Sequence, residues 1–289
     1  MSAQTIAPRP APSASSFTAR GGVFREIRLH LGLLSAYFSQ YAKVRVSYRG
    51  DFFISLATSI AATIFSLGFV VILFQRAPQL KGWKFEEVLF LYGFSMIPYG
   101  LFNVLSLNLY DFGNNYIMEG KFDRVLLRPI SSLFQVLFEV FRIESLQEIV
   151  TGSLVVWYAS RHLQIHWTAL DFTMLFIWAL SGGVIYISVF LFLSTFSFWF
   201  EDRIGIHPPF WNLIAFGRYP LSIYSGFIQF LLSWIIPFGF ASFYPTAWML
   251  RRAEFARYTP LAPVVAAICL SIAILAWNFG SRRYTSTGS

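Results

Sequence analysis

Phe52–Phe74 reads FFISLATSIAATIFSLGFVVILF, 23 residues without a charged side chain. An α-helix rises about 1.5 Å per residue and the hydrocarbon of a bilayer is about 30 Å thick, so a helix made of this run is long enough to cross it. A barrel strand would alternate polar and apolar residues over about ten positions, and this run does not. Five more apolar stretches follow: Val88–Tyr110, Phe134–Trp157, Phe172–Phe200, Leu221–Ala241 and Leu261–Asn278. The second carries Asn103 and Asn108 as its strongly polar residues. The third holds Glu139, Arg142, Glu144 and Glu148. The expected fold is therefore an all-α integral membrane protein of six transmembrane helices.

Composition agrees. Of 289 residues, 56% are hydrophobic and 12% charged, about half the charge usual in soluble domains, and the mean hydropathy is +0.58. A water-soluble globule, a disordered chain, collagen and a coiled coil are excluded together. The single cysteine, Cys269, allows no internal disulfide and no multi-cysteine zinc site. The net charge of +8 reads as topology rather than nucleic-acid binding. With the N-terminus inside, 14 Lys and Arg fall on the inner side, Arg203 and Arg218 among them, and 7 fall outside. That bias predicts both termini in the cytoplasm.

Outside the spans, residues 1–20 are rich in Ala, Pro and Ser and read as a disordered tail, with no signal-peptide core. Phe24, Ile27, Leu31, Leu34, Phe38 and Tyr41 recur every three or four residues among Arg25, Arg28, Lys43, Arg45 and Arg49. Such a face suits a helix lying in the membrane interface or one packed on the bundle. The most informative loop is Asn114–Pro129, where Glu119, Lys121, Asp123, Arg124 and Arg128 interleave with Ile117, Phe122, Val125, Leu126 and Leu127. A short amphipathic segment stopped by Pro129 can offer an apolar knob with a charged rim to a protein partner, or simply form an interfacial loop helix.

Catalytic patterns are missing. Lys121 is followed by Phe122 where a phosphate-binding loop needs Ser or Thr, and Asn115 stands where its first glycine should be. His162 and His166 are four apart but lack further ligands for a metal. The charges of the third stretch cost about 2.5–3.5 kcal/mol each at a bilayer centre. Glu139 and Arg142, three apart, can neutralise one another. Glu144 and Glu148 either line a polar pathway that favours cationic or amphipathic substrates, or lie at the inner interface because the helix starts late, near Leu146.

Two motifs carry a resemblance. Glu119-Gly-Lys-Phe-Asp-Arg-Val-Leu-Leu-Arg-Pro129 resembles a loop of ABC-2 type exporter permeases, in the branch described as drug or viologen exporters with a separate ATPase subunit. Phe216-Gly-Arg-Tyr-Pro-Leu-Ser-Ile-Tyr224, followed by Ile235–Phe240 and Tyr244-Pro245, is similar to that branch too. The resemblance covers about residues 20–285. It implies a type V exporter fold, in a single transmembrane domain over residues 21–289, and a multi-pass place in the bacterial cytoplasmic (inner) membrane. It also implies a coupling helix built from Glu119, Gly120, Lys121, Phe122, Asp123, Arg124, Leu126, Leu127, Arg128 and Pro129, and a second cytoplasmic contact at Glu201, Asp202 and Arg203. Phe243–Tyr258 would form re-entrant outer segments with a basic mouth from Arg251, Arg252 and Arg257. The implied partners are two copies of an ABC ATPase, which would hold ATP and Mg, a second permease chain of the same or a related sequence, and membrane lipid, with no nucleic acid. This chain itself would be neither an enzyme nor the carrier of a cofactor. A membrane-embedded lipid-modifying enzyme and an ATP-independent secondary transporter are the alternatives.

Overall fold

The computed structural model describes residues 28, 32–41, 43, 49–200 and 207–285. The expected tail, the first part of the amphipathic stripe (Phe24, Ile27, Leu31) and the contact at Glu201, Asp202 and Arg203 lie outside them. Among the described residues the chain is helical, with no strand. Four helical stretches are long and apolar enough to cross a bilayer: Arg49–Arg76, Phe85–Met118, Ala169–Phe200 and Ala253–Ser281. This is a multi-pass membrane protein.

The centre of the bundle is α2 (Phe85–Ser106), following α1 (Arg49–Arg76). The segment after α2 carries the short helix α3 (Lys121–Leu126), then α4 (Ser132–Phe138) and α5 (Leu146–His162). Next comes α6 (Ala169–Thr195), which Thr168 and Asp171 start with a reciprocal capping box. Lipid supplies no hydrophobic drive for helices to associate, so close packing needs small residues. Gly93 and Gly100 of α2 meet α5, where a Cβ added at Gly152 would stand 2.6 Å from the Gly93 carbonyl oxygen. Gly182 of α6 approaches Ala241 and Pro98 equally closely. The last long helix, Ala262–Ser281, follows the same logic: Ala262, Ala266, Ala273 and Gly280 are buried, while Val264, Ile268, Ile272, Leu275 and Phe279 face outward.

This packing yields a prediction. Gly152→Ala should cost about 1–3 kcal/mol, because a methyl meeting backbone must push two helices apart. Gly68→Ala, with nothing within 4 Å, should not. Thermal unfolding in detergent compares the two; equal midpoints would refute the close-packing account.

Two stretches differ from the sequence expectation. The third, Phe134–Trp157, is not one helix. It breaks after α4, Arg142 N–H donates to the Val104 carbonyl of α2 at 3.1 Å, and α5 starts only at Leu146. The charges sit in and beside that break. Glu139 and Arg142 do not neutralise each other: Glu139 accepts the Tyr116 hydroxyl, and no ion pair joins the two among the described residues.

The fifth stretch, Leu221–Ala241, is not a continuous helix either. Before it, α7 (Ser197–Phe200) and α8 (His207–Ile214) lead to a 3-10 turn at Ala215–Arg218. Then come α9 (Gly226–Phe230), a π-turn at Leu231–Ile235, α10 (Phe238–Ala241), α11 (Phe243–Met249), α12 (Ala253–Ala256) and α13 (Ala262–Ser281). Two X-Pro steps explain the breaks. A residue before proline is driven out of the helical region, and Tyr219 (φ −120°, ψ 157°) and Ile236 (φ −120°, ψ 82°) both are.

Contacts along α2 give the path. The His207 and Trp211 rings meet Tyr110, Trp211 also meets Phe102 and Tyr99, Arg218 reaches Tyr99 and Tyr92, and Ser222 accepts from Trp83. Residues 207–222 therefore climb antiparallel to α2 over its whole length. The chain then turns back. Ala241 packs at Pro98, near the middle of α2, and Ser242 Oγ donates to the Gly217 carbonyl at 2.6 Å. From there α11 returns to the N-terminal end of α2, where Arg252 forms a salt bridge with Glu87 at 2.6 Å, donates to Gly82 and lies over Trp83. The segment that turns back thus begins near Gly226 rather than at Phe243. Arg252, counted with the basic mouth, is paired.

Candidate functional site

The loop Asn114–Pro129 folds as a π-turn (Gly113–Met118) that runs into α3 through Gly120. Gly120 takes φ +66°, a left-handed conformation that glycine adopts without a Cβ penalty. Pro129 ends the helix, and Gln135 of α4 holds the exit by donating to the Val125 and Ile130 carbonyls at 3.1 and 3.0 Å. Asn108 donates to the Val136 carbonyl from the other side.

The loop has an inner and an outer face. Phe122 points inward and is fully buried, ringed by Phe112, Phe198, Trp277 and Tyr284 at centroid distances of 5.8, 5.2, 6.0 and 5.0 Å. Trp277 donates to Ser132 Oγ at 3.3 Å. The cluster therefore ties α3 to the continuation of α2, to α4, to α7 and to the end of α13. Leu127 is 84% exposed, Met118 52% and Leu126 48%. Around them lie the exposed Arg124 and Arg128 and the Glu119–Lys121 pair at 2.6 Å. Phe122, expected among the presented residues, is an anchor; the leucines are the presented face. Asp123 is half-buried in α3.

A second polar region lies within the bundle. Glu148 of α5 accepts from the Asn103 amide of α2 at 2.8 Å. It lines a cavity of about 170 Å³ with Ser59 and Ser66 of α1, Tyr92 and Tyr99 of α2, and Arg218. Arg218 donates to the Tyr92 hydroxyl at 3.2 Å and stacks over the rings of Tyr92 and Tyr99 at 5.6 and 5.0 Å. Arg218, expected as an inner-loop cation, sits instead against the middle of α2. The other acidic candidate, Glu144, is buried in the turn before α5 and does not line this cavity. Sequence reading missed Arg218, Tyr92, Tyr99 and Asn103 as a group. Its available signals were an asparagine within an apolar run and an arginine one residue before the Tyr219-Pro220 step.

Glycine contacts that close a bundle of apolar helices, and an amphipathic loop anchored beneath it, describe a multi-pass membrane domain. The chain belongs to the ABC-2 family of transporters, whose model, described as ABC-2 family transporter protein, matches residues 60–288. That family is the membrane component of ABC transporters, generally has no ATP-binding site of its own, and implies an ATPase partner. No curated protein and no solved structure matches the chain.

Proposed function

We propose that this chain is the permease subunit of an ATP-driven exporter, in the drug- or viologen-exporter branch, that moves an amphipathic cargo across the bacterial cytoplasmic membrane. Two permease chains, identical or related, would enclose the pathway above two ATPase copies that hold ATP and Mg. The chain would cross six times with both termini inside, the fifth crossing being residues 207–222, and the loop Asn114–Pro129 would face the cytoplasm. The observation that carries the reading is the division of that loop. Exposed Leu126, Leu127 and Met118 suit a groove on a partner, while buried Phe122 joins the same segment to the continuation of α2, to α7 and to the end of α13. A push on the leucines is thereby transmitted to the ends of the long helices. Transmission requires a different fit in the two states of the ATPase, so the apolar face should matter more than its charged rim. Glu201, Asp202 and Arg203 would supply the second, smaller contact.

The test is affinity purification of the full chain from its native membranes in mild detergent, with identification of co-purifying chains and assay of ATP hydrolysis. An ABC ATPase in near-equal amount is expected. A chain that purifies without one, and moves cargo in vesicles on an ion gradient alone, is a secondary transporter.

A further inference from the structure

The bundle cavity holds two charges of opposite sign that do not meet. Arg218 and Glu148 line the same space, yet no ion pair joins them among the described residues. A guanidinium has five N–H donors, and the described hydrogen bonding of Arg218 is the single donation to Tyr92. The Tyr92 and Tyr99 rings lie beside the cation as π faces, with centroids 5.6 and 5.0 Å from it. Glu148 is held by Asn103 through Oε2. Charges at membrane depth are costly and are retained where they pair or bind something.

The space is also open sideways. A second cavity, of about 300 Å³, shares Ser66, Tyr92 and Arg218 with the first and extends to Phe65 and Phe69, both exposed on α1. The wall on that side is α1, which buries only Val70 and Phe74 of its 28 residues. Ser59, Thr63 and Ser66 of α1 add hydroxyls to the lining of the cavity.

We propose that this cleft binds the head of a zwitterionic amphiphile, its anionic group on Arg218 and its cationic group on Glu148, entering from the bilayer past α1. A planar guanidinium pairs with phosphate or carboxylate through two parallel bonds, which an ammonium cannot do. A purely cationic head would leave Arg218 without a counter-charge, and a purely anionic head would leave Glu148 so. In surroundings of low dielectric an uncompensated charge is the costly outcome. A head bearing both signs compensates both, while the tail stays in lipid beside Phe65 and Phe69. The inference names a cargo class and in that sense rests on the transport reading, although binding itself requires no ATPase.

The experiment is native mass spectrometry of the full chain in a neutral detergent, titrated with four lipids of matched acyl chains: phosphatidylcholine, phosphatidylglycerol, a trimethylammonium lipid and diacylglycerol. Wild type should bind the phosphatidylcholine about tenfold more tightly than the other three. Arg218→Gln should move the preference to the cationic lipid, and Glu148→Gln to the anionic one, a change of order that general loss of structure does not produce. Ser66→Phe, on the loosely packed α1, should weaken all four and keeps the test decisive if a charge variant fails to fold. Equal binding of phosphatidylcholine and diacylglycerol by wild type, an unchanged order in both charge variants, or undiminished binding in Ser66→Phe would overturn the proposal. Zwitterion binding by a chain that recruits no ATPase would count against the coupling reading alone; the reverse would count against the cleft alone.

Discussion

Replacing Leu126 and Leu127 together by aspartate should strip the ATPase from the purified chain and abolish export, while the permease itself stays folded. Leu127 is mostly exposed and Leu126 about half, so the change removes little packing inside the bundle. Apolar anchors at the centre of an interface each contribute about 2 kcal/mol, and two of them together correspond to a loss of affinity of about a thousandfold. The aspartates add the cost of burying charge that the partner's groove cannot pair. The rim should behave otherwise. Glu119 and Lys121 are joined to each other and both about half exposed, so Glu119→Gln should change association by about 1 kcal/mol at most. Co-purification and export measured side by side decide the matter. If the double variant retains both, the loop is not where the ATPase pushes.

Phe122→Ala should produce the opposite pattern, a loss of stability with the docking face untouched. The ring contacts four aromatic side chains from separate parts of the chain, and removing a fully buried Phe costs about 3–5 kcal/mol, mostly through the cavity left behind. A large fall in the thermal midpoint is expected, together with ATP hydrolysis that no longer drives export, since the loop loses its tie to Phe198 and Trp277. Phe122→Leu should recover part of both. A Phe122→Ala chain of wild-type stability would show that the aromatic cluster does not hold the loop. The pair of variants separates anchor from contact, which pattern alone cannot do: an apolar residue on an amphipathic loop helix faces either a partner or its own bundle, and both use the same periodicity.

Other parts were legible from physical rules that act locally. A helix beginning near Leu146 was one of the two readings that the charges of the third stretch left open, and α5 begins there. Tyr219-Pro220 and Ile236-Pro237 were visible breakers, yet the apolarity between them outweighed them in the reading of a fifth span. The amphipathic stripe also found contacts, since the rings of Phe38 and Tyr41 meet Phe141 in the break between α4 and α5 at 5.7 and 6.5 Å.

What the sequence by itself determined was the solvent and the helical class: the charge-free run at Phe52–Phe74 cannot stay in water, and a chain in lipid must satisfy its backbone within helices. Only the tertiary structure decided the direction of the segments and what they pack against. Hydropathy measures how apolar a segment is, not which way it runs, so a hairpin that enters and returns scores like a crossing. An arginine near a span end likewise counts as a loop cation until Tyr92 and Tyr99 are seen around it. The separation of Arg218 from Glu148, and of Phe122 from Leu127, arises from contacts between residues far apart in the chain, and no local pattern records those.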